Sequence, residues 1–174
     1  MEVIDVVKRF DEYLAVRNYT FEATIVGGAA LSLLQVISRV TNDIDIITPG
    51  RLPAFIQKAA EDFAIDEQLP VGWLNCGPSD VGRYLPVGWE SRCRSVYDGV
   101  SLRLITLGRL EMLMTKCWAY CDRERDLQDI VALRPTVDEI DTIIEWLIPL
   151  DANPGWPAYV EKLFSALKLK IVEG

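Results

Sequence analysis

A chain of 174 residues, half of them hydrophobic and with a net charge of −8, is long enough to bury one sizeable core and too apolar to be disordered. Its acidic balance works against broad, nonspecific binding to nucleic-acid backbones. The sequence contains no histidine, and its four cysteines, Cys76, Cys93, Cys117 and Cys121, show no Cys-x-x-Cys spacing, which excludes His-based triads and argues against structural zinc.

In chain order, apolar residues spaced between Glu2, Asp5, Lys8, Arg9, Asp11 and Glu12 predict an amphipathic helix over about 3–16, not a signal peptide. A strand at 23–27, a helix at 28–37 and a strand at 43–48 follow. Pro49-Gly50 breaks the chain before a helix at 51–64. Residues 69–89 are rich in Gly and Pro and read as loop with short strands; 95–97 and 100–105 flank Asp98-Gly99, a hairpin signal. From 106 the pattern turns helical, at about 107–121, 123–133, 137–148 and 157–169. Thr136 and Glu139 form a Thr-x-x-Glu capping box, and Pro157 suits a first helical turn. The expectation is an α/β (α+β) fold, with a mixed sheet and flanking helices over 1–105 and a helical part over 106–174 packed on it as one compact unit. No internal repeat is expected. The longest uncharged run, Ala23 to Ser38, is too short to span a bilayer, so a cytoplasmic protein with reduced thiols and no membrane partner is expected.

Two stretches carry chemistry. Thr24, Ile25 and Val26 are β-branched and run into Gly27-Gly28, a turn where backbone can approach another group closely. A helix starting there would aim free N–H groups at an anion. After it, Asp43-Ile44-Asp45-Ile46 alternates acid with apolar, and the period of a strand sends Asp43 and Asp45 to one face while the isoleucines anchor the other. Two carboxylates are hard oxygen ligands of the kind Mg²⁺ takes together with substrate phosphates. Each half alone is also explained by packing: a Gly pair that closes a turn, and a half-buried strand with a polar face. Their order and spacing, on consecutive strands of one βαβ-like unit, favour a phosphate cradle facing a metal-binding pair.

A third feature lies in the helical part. Lys116 stands in the apolar stretch Met112 to Tyr120, where an unpaired ammonium is costly, so it needs a carboxylate or an anionic ligand. Asp126 and Asp129 follow on the next helix, one turn apart. A brace between two helices is one reading of Lys116 with Asp126 or Asp129. From Arg83 to Arg134 there are nine Lys/Arg against seven Asp/Glu, a mildly basic stretch that could meet phosphates, though solvated helix faces explain it as well.

On Gly27, Gly28, Arg39, Thr41, Asp43 and Asp45 the chain resembles the DNA polymerase beta-like nucleotidyltransferase superfamily. Within it the chain is most similar to small bacterial proteins related to abortive-infection and toxin–antitoxin nucleotidyltransferases. Trp73-Leu74-Asn75, Leu107-Gly108-Arg109-Leu110 to Lys116 and Arg123 to Asp129 extend the likeness, which covers roughly residues 20 to 135. The resemblance implies an Mg²⁺-dependent transfer of NMP from NTP to an acceptor hydroxyl on RNA, tRNA or protein, in a toxin–antitoxin pair with an antitoxin partner, or as a homo-oligomer. It implies that Asp43 and Asp45 hold metal and that Gly27, Gly28, Arg39 and Thr41 bind nucleotide. Lys116 would then meet the triphosphate, and Asp126, or alternatively Asp129, would orient Lys116 or the acceptor. Such enzymes usually add a third carboxylate, commonly an Asp after Trp-Leu-Asn. Here Cys76 stands in that place, and a thiol is no substitute towards Mg²⁺. Asp80, Glu90 and Asp98 are the alternatives, and a non-catalytic member that binds nucleotide or a partner protein is the competing reading.

Overall fold

The computed structural model describes residues 2–38, 41–123 and 126–173. It is a mixed α/β structure whose chain divides into two compact units, Met1–Gly108 and Arg109–Gly174. Among the described residues no helix is long and apolar enough to cross a membrane.

The first unit opens with α1 (Val3–Val16), whose buried stripe of Val3, Val6, Val7, Phe10 and Leu14 follows the helical period. Next come β1 (Phe21–Val26), α2 (Gly27–Leu33), β2 (Ile44–Thr48), α3 (Ala54–Glu67), β3 (Leu74–Asn75), β4 (Arg94–Asp98) and β5 (Leu102–Thr106). Short 3-10 turns at Ser79–Arg83 and Trp89–Arg92 occupy the stretch between β3 and β4. α1 meets α3 through an aromatic cluster in which Phe10 lies 5.1 Å from both Phe63 and Trp73, centroid to centroid. Trp73 also donates its indole N–H to the Ala60 carbonyl, so its polar edge is satisfied inside the core.

The five strands run in the order β3-β2-β1-β5-β4. β1 pairs parallel with β5, and β2 pairs parallel with β3. β1 and β2, however, are antiparallel, which corrects the βαβ-like connection that the spacing suggested. α2 is only seven residues long, well short of the expected 28–37, and the chain returns alongside β1 instead of crossing over it. An antiparallel return sets the end of one strand against the start of the next. Val26 therefore faces Asp45, and Asp45 in turn faces Asn75.

The predicted hairpin forms as β4 and β5, with Asp98 opposite Arg103. Its turn, Gly99-Val100-Ser101, is fastened from a distance. The buried Asp11 carboxylate accepts the N–H groups of Val100, Ser101 and Leu102 and the Tyr97 hydroxyl. Burial alone would raise the Asp11 carboxyl, but these donors outweigh it and hold the group below the ordinary carboxylate value. A Cβ on Gly99 would stand 2.2 Å from Asp11 Oδ2, so no side chain fits there.

The expectation of no internal repeat is wrong. Leu69-Pro70-Val71-Gly72-Trp73 recurs as Leu85-Pro86-Val87-Gly88-Trp89, and the two copies fold alike. Gly72 and Gly88 have φ of +76° and +77°, and in each the Trp N–H donates to the Pro carbonyl at 3.1 Å. This is a tight turn with glycine where φ must be positive, an exposed valine at its tip and a buried tryptophan behind it.

The second unit is helical: α4 (Arg109–Asp122), α5 (Leu127–Ala132), α6 (Val137–Leu147) and α7 (Trp156–Glu173). The capping box at Thr136 and Glu139 forms in full, with Glu139 also engaged by Arg109. Burial pushes the Glu139 carboxyl up, but the Thr136 N–H and the Arg109 guanidinium bring it below its ordinary value.

Candidate active site

β1 ends at Val26, and Gly27 continues with φ +74°, a conformation that L side chains resist. The reason lies across the strand pair: a Cβ on Gly27 would stand 3.0 Å from Asp45 Oδ2. Glycine here lets the backbone close onto a carboxylate, and the sheet register holds the two together. Gly28 follows as the second residue of α2. With two turns of helix behind it, the site rests on close backbone approach more than on a long helix dipole.

On its other side Asp45 is held by Asn75, whose Nδ2 donates to Asp45 Oδ1 at 3.1 Å. The Asn75 amide is itself fixed, donating to the Gly72 carbonyl and accepting the Gly77 N–H at 2.8 Å. Asp45 is half-buried between Ile44 and Ile46, which are fully inside. Asp43 lies one residue ahead of β2 and is exposed; the Thr41 hydroxyl donates to its Oδ1 at 3.1 Å. The structure thus joins Gly27 with Asp45, and Thr41 with Asp43. Arg39 lies outside the described residues.

Asn75 escaped prediction as a site residue, although Trp-Leu-Asn was visible. Its role depends on the parallel pairing of a two-residue strand, too short for any periodicity to reveal. Cys76, expected at the third acidic position, directs its thiol to the Pro49 carbonyl instead, and burial raises its pKa. Of the three alternatives, Asp98 sits on β4, at the opposite edge of the sheet from β3. Asp80 is exposed and pairs with Arg83 at 3.3 Å, and Glu90 is an exposed residue of a 3-10 turn. Among the described residues no three His, Cys, Asp or Glu side chains cluster so as to hold a metal ion. The donors at Asp45 and Asp43 are nevertheless hard oxygens. A pair of them suits Mg²⁺, which keeps waters and takes phosphate oxygens rather than a closed protein cage.

In the second unit Lys116 reaches both candidate carboxylates. Its Nζ is 3.1 Å from Asp126 Oδ1 and 2.6 Å from Asp129 Oδ2, and Arg123 Nε is 3.3 Å from Asp126 Oδ2. Lys116, Asp126 and Asp129 are all buried. The choice between Asp126 and Asp129 resolves as both, the geometry of a brace between α4 and α5. The mildly basic stretch is largely paired as well: Arg103 meets Glu22. Arg109 meets Glu139 and also donates to the Leu133 and Arg134 carbonyls.

Two cavities flank the Asp45 strand. One, of about 600 Å³, is bounded by α3, by Gly50 to Leu52 and by Leu69 to Cys76, so that Asn75 belongs to its wall. A smaller one, of about 320 Å³, is lined by Thr41, Asn42 and Asp43 together with Val3, Glu67 and Trp73.

Residues 2–144 match the model of a family described as nucleotidyltransferase of unknown function (DUF6036). No curated protein and no solved structure matches the chain.

Proposed function

Since the chain belongs to this nucleotidyltransferase family, we propose that it transfers a nucleoside monophosphate from NTP to an acceptor hydroxyl with Mg²⁺, using the Gly27–Asp45 junction as its centre. The observation that carries this reading is the backbone of Gly27, in a glycine conformation, lying against Asp45 Oδ2. It sets bare backbone directly beside a carboxylate, the two groups that the sequence pattern pairs.

Gly27 and Gly28 present backbone to the triphosphate. Asp45 and Asp43 would hold Mg²⁺, and Thr41, through its hydrogen bond, orients Asp43. When bound, the ion supplies charge neutralisation as pyrophosphate leaves. Asn75 is a positioning residue: by engaging Asp45 Oδ1 it leaves Oδ2 directed at the Gly27 turn. Catalysis of this kind is chiefly placement and charge stabilisation, which a rigid sheet register provides.

Lys116 and Asp126, which the resemblance draws into catalysis, already have in each other the partners a brace needs, and the test for them is developed in the Discussion. The toxin–antitoxin role rests on the resemblance, and the cytoplasmic location on the reduced thiols expected from the sequence. Co-expression growth assays and fractionation are their tests.

A second reading is favoured by one observation. Beside Asp45 stands the neutral amide of Asn75, and Cys76, in the place of the third carboxylate, turns its thiol to Pro49. A protein that binds nucleotide without transferring it fits that pairing. Calorimetry of NTP binding with Mg²⁺ and with EDTA, on wild type and Asp45→Asn, tests both readings. Metal-dependent binding that Asp45→Asn abolishes supports the site. Binding unchanged in a folded Asp45→Asn protein removes it. Labelled-NTP transfer then separates enzyme from binder.

A further inference from the structure

We propose that the cavity of about 600 Å³ beside β3 is the acceptor site, and that the acceptor is a small alcohol with an apolar body. The inference rests on the nucleotidyl-transfer reading and adds direction to it. Val26, Asp45 and Asn75 are register partners across β1, β2 and β3. Gly27, where the triphosphate is placed, lies on the β1 side of Asp45, and the cavity lies on its β3 side. Displacement at phosphorus is in line, with attacking and leaving oxygens on opposite sides. If pyrophosphate leaves towards the Gly27 turn, the hydroxyl must arrive from the side of β3. Asn75 joins the two regions, being part of the cavity wall and bonded to Asp45 Oδ1 at 3.1 Å.

The wall chooses the chemistry. Its volume falls within the range of small-molecule sites. Ala60, Ala64, Leu69, Trp73 and Leu74 give it an apolar surface, while its charged residues are one cation, Arg51, and one anion, Glu61. A polynucleotide end needs several Lys or Arg against its phosphates, and this wall does not supply them. A compact apolar body with a single hydroxyl does fit. In the step, the acceptor oxygen bonds to the α-phosphorus and the bond from that phosphorus to the β-bridging oxygen breaks. Pyrophosphate leaves with the bonding pair, and the hydroxyl proton passes to solvent water.

The test begins without nucleotide. Phenethyl alcohol, tyrosol and octanol are titrated into the protein in EDTA, followed by saturation-transfer NMR. At least one binds the wild type saturably, and Ala64→Phe, which fills the cavity from α3, weakens it about tenfold or more. Cys76→Phe fills it from the other wall and serves if Ala64→Phe does not fold. Label transfer from α-labelled NTP with Mg²⁺ is then compared among these alcohols, a short RNA with a free terminal hydroxyl, and casein. The expected result is label on an alcohol, lost in the filled variant while Mg²⁺–NTP affinity is kept. Absence of alcohol binding, label on RNA or casein alone, or wild-type transfer in a filled variant overturns the proposal. If wild type binds no Mg²⁺–NTP, the nucleotidyl reading fails instead, and the EDTA titration still judges the cavity.

Discussion

Replacing Lys116 by Met keeps the aliphatic stem and removes one charge that serves two buried carboxylates. Lys116, Asp126 and Asp129 are 6%, 5% and 1% exposed, so solvent screens little of what is lost. Taking one partner from a buried ion pair typically costs about 3–5 kcal/mol, because the remaining charge is left in a poor solvent. Here the 2.6 Å contact to Asp129 places the change in that class, and Arg123 beside Asp126 softens only one side. Against a total stability of about 5–15 kcal/mol, Lys116→Met should bring the urea midpoint down by about 2 M at a slope of about 2 kcal/mol per M. Adding Asp126→Asn and Asp129→Asn removes the stranded charges and should restore most of the loss, since uncharged replacements of buried ion clusters are often near neutral. Urea titration followed by circular dichroism gives these values. Mg²⁺–NTP calorimetry on the folded single variant should give wild-type affinity. A midpoint that barely moves, with nucleotide affinity lost, would refute the brace and return Lys116 and Asp126 to catalysis.

Gly27→Ala should cost about 1–2 kcal/mol from a left-handed backbone carrying a Cβ, and should weaken Mg²⁺–NTP binding about tenfold or more by pushing on Asp45 Oδ2; calorimetry beside a urea melt reads both. The Asp11 carboxyl lies below its ordinary 3.8 in the folded protein, so its contribution is full above that value and lost as pH falls through the lower folded one. Urea melts from pH 5 down to pH 2 should show that slope, flattened in Asp11→Asn. Tyr97 behaves in the opposite sense: burial and the Asp11 hydrogen bond push its hydroxyl up to about 12, so stability falls as pH rises from 10 towards 12, and Tyr97→Phe should remove that fall. Burial raises the Cys121 thiol to about 12 and the Cys117 thiol further. Mass spectrometry after brief alkylation at pH 8 should therefore find Cys76 and Cys93 modified and these two intact.

Much of the fold was legible because its signals are local. The helical period of α1, the capping box at Thr136 and the β-branched run into Gly27 each lie within a few residues, and each formed where expected. What was hidden depends on partners far along the chain. The hairpin turn is fastened by Asp11, some ninety residues earlier, and no composition rule links the two. A helix between two strands suggests a crossover, whereas α2 stops after seven residues and β2 returns antiparallel to β1. Within the site, Gly27 and Asp45 could be named from their types and spacing. Asn75 could not, since its place beside Asp45 is fixed by pairing between strands. The repeated Leu-Pro-Val-Gly-Trp is local as well, each copy holding within five residues the proline, the positive-φ glycine and the tryptophan that make its turn.

The antiparallel return of β2 separates the geometry of the centre from the length of the chain that builds it. Because strand pairing sets Val26 against Asp45, the connection leaving α2 could grow without shifting that alignment, and doubling a flexible loop costs only about 0.6 kcal/mol in closure entropy. Residues inserted just before Thr41 would adjoin the smaller cavity, which Thr41 and Asp43 line. The segment is thus a place where chain can be added while the pairing of Val26 with Asp45 stays where it was.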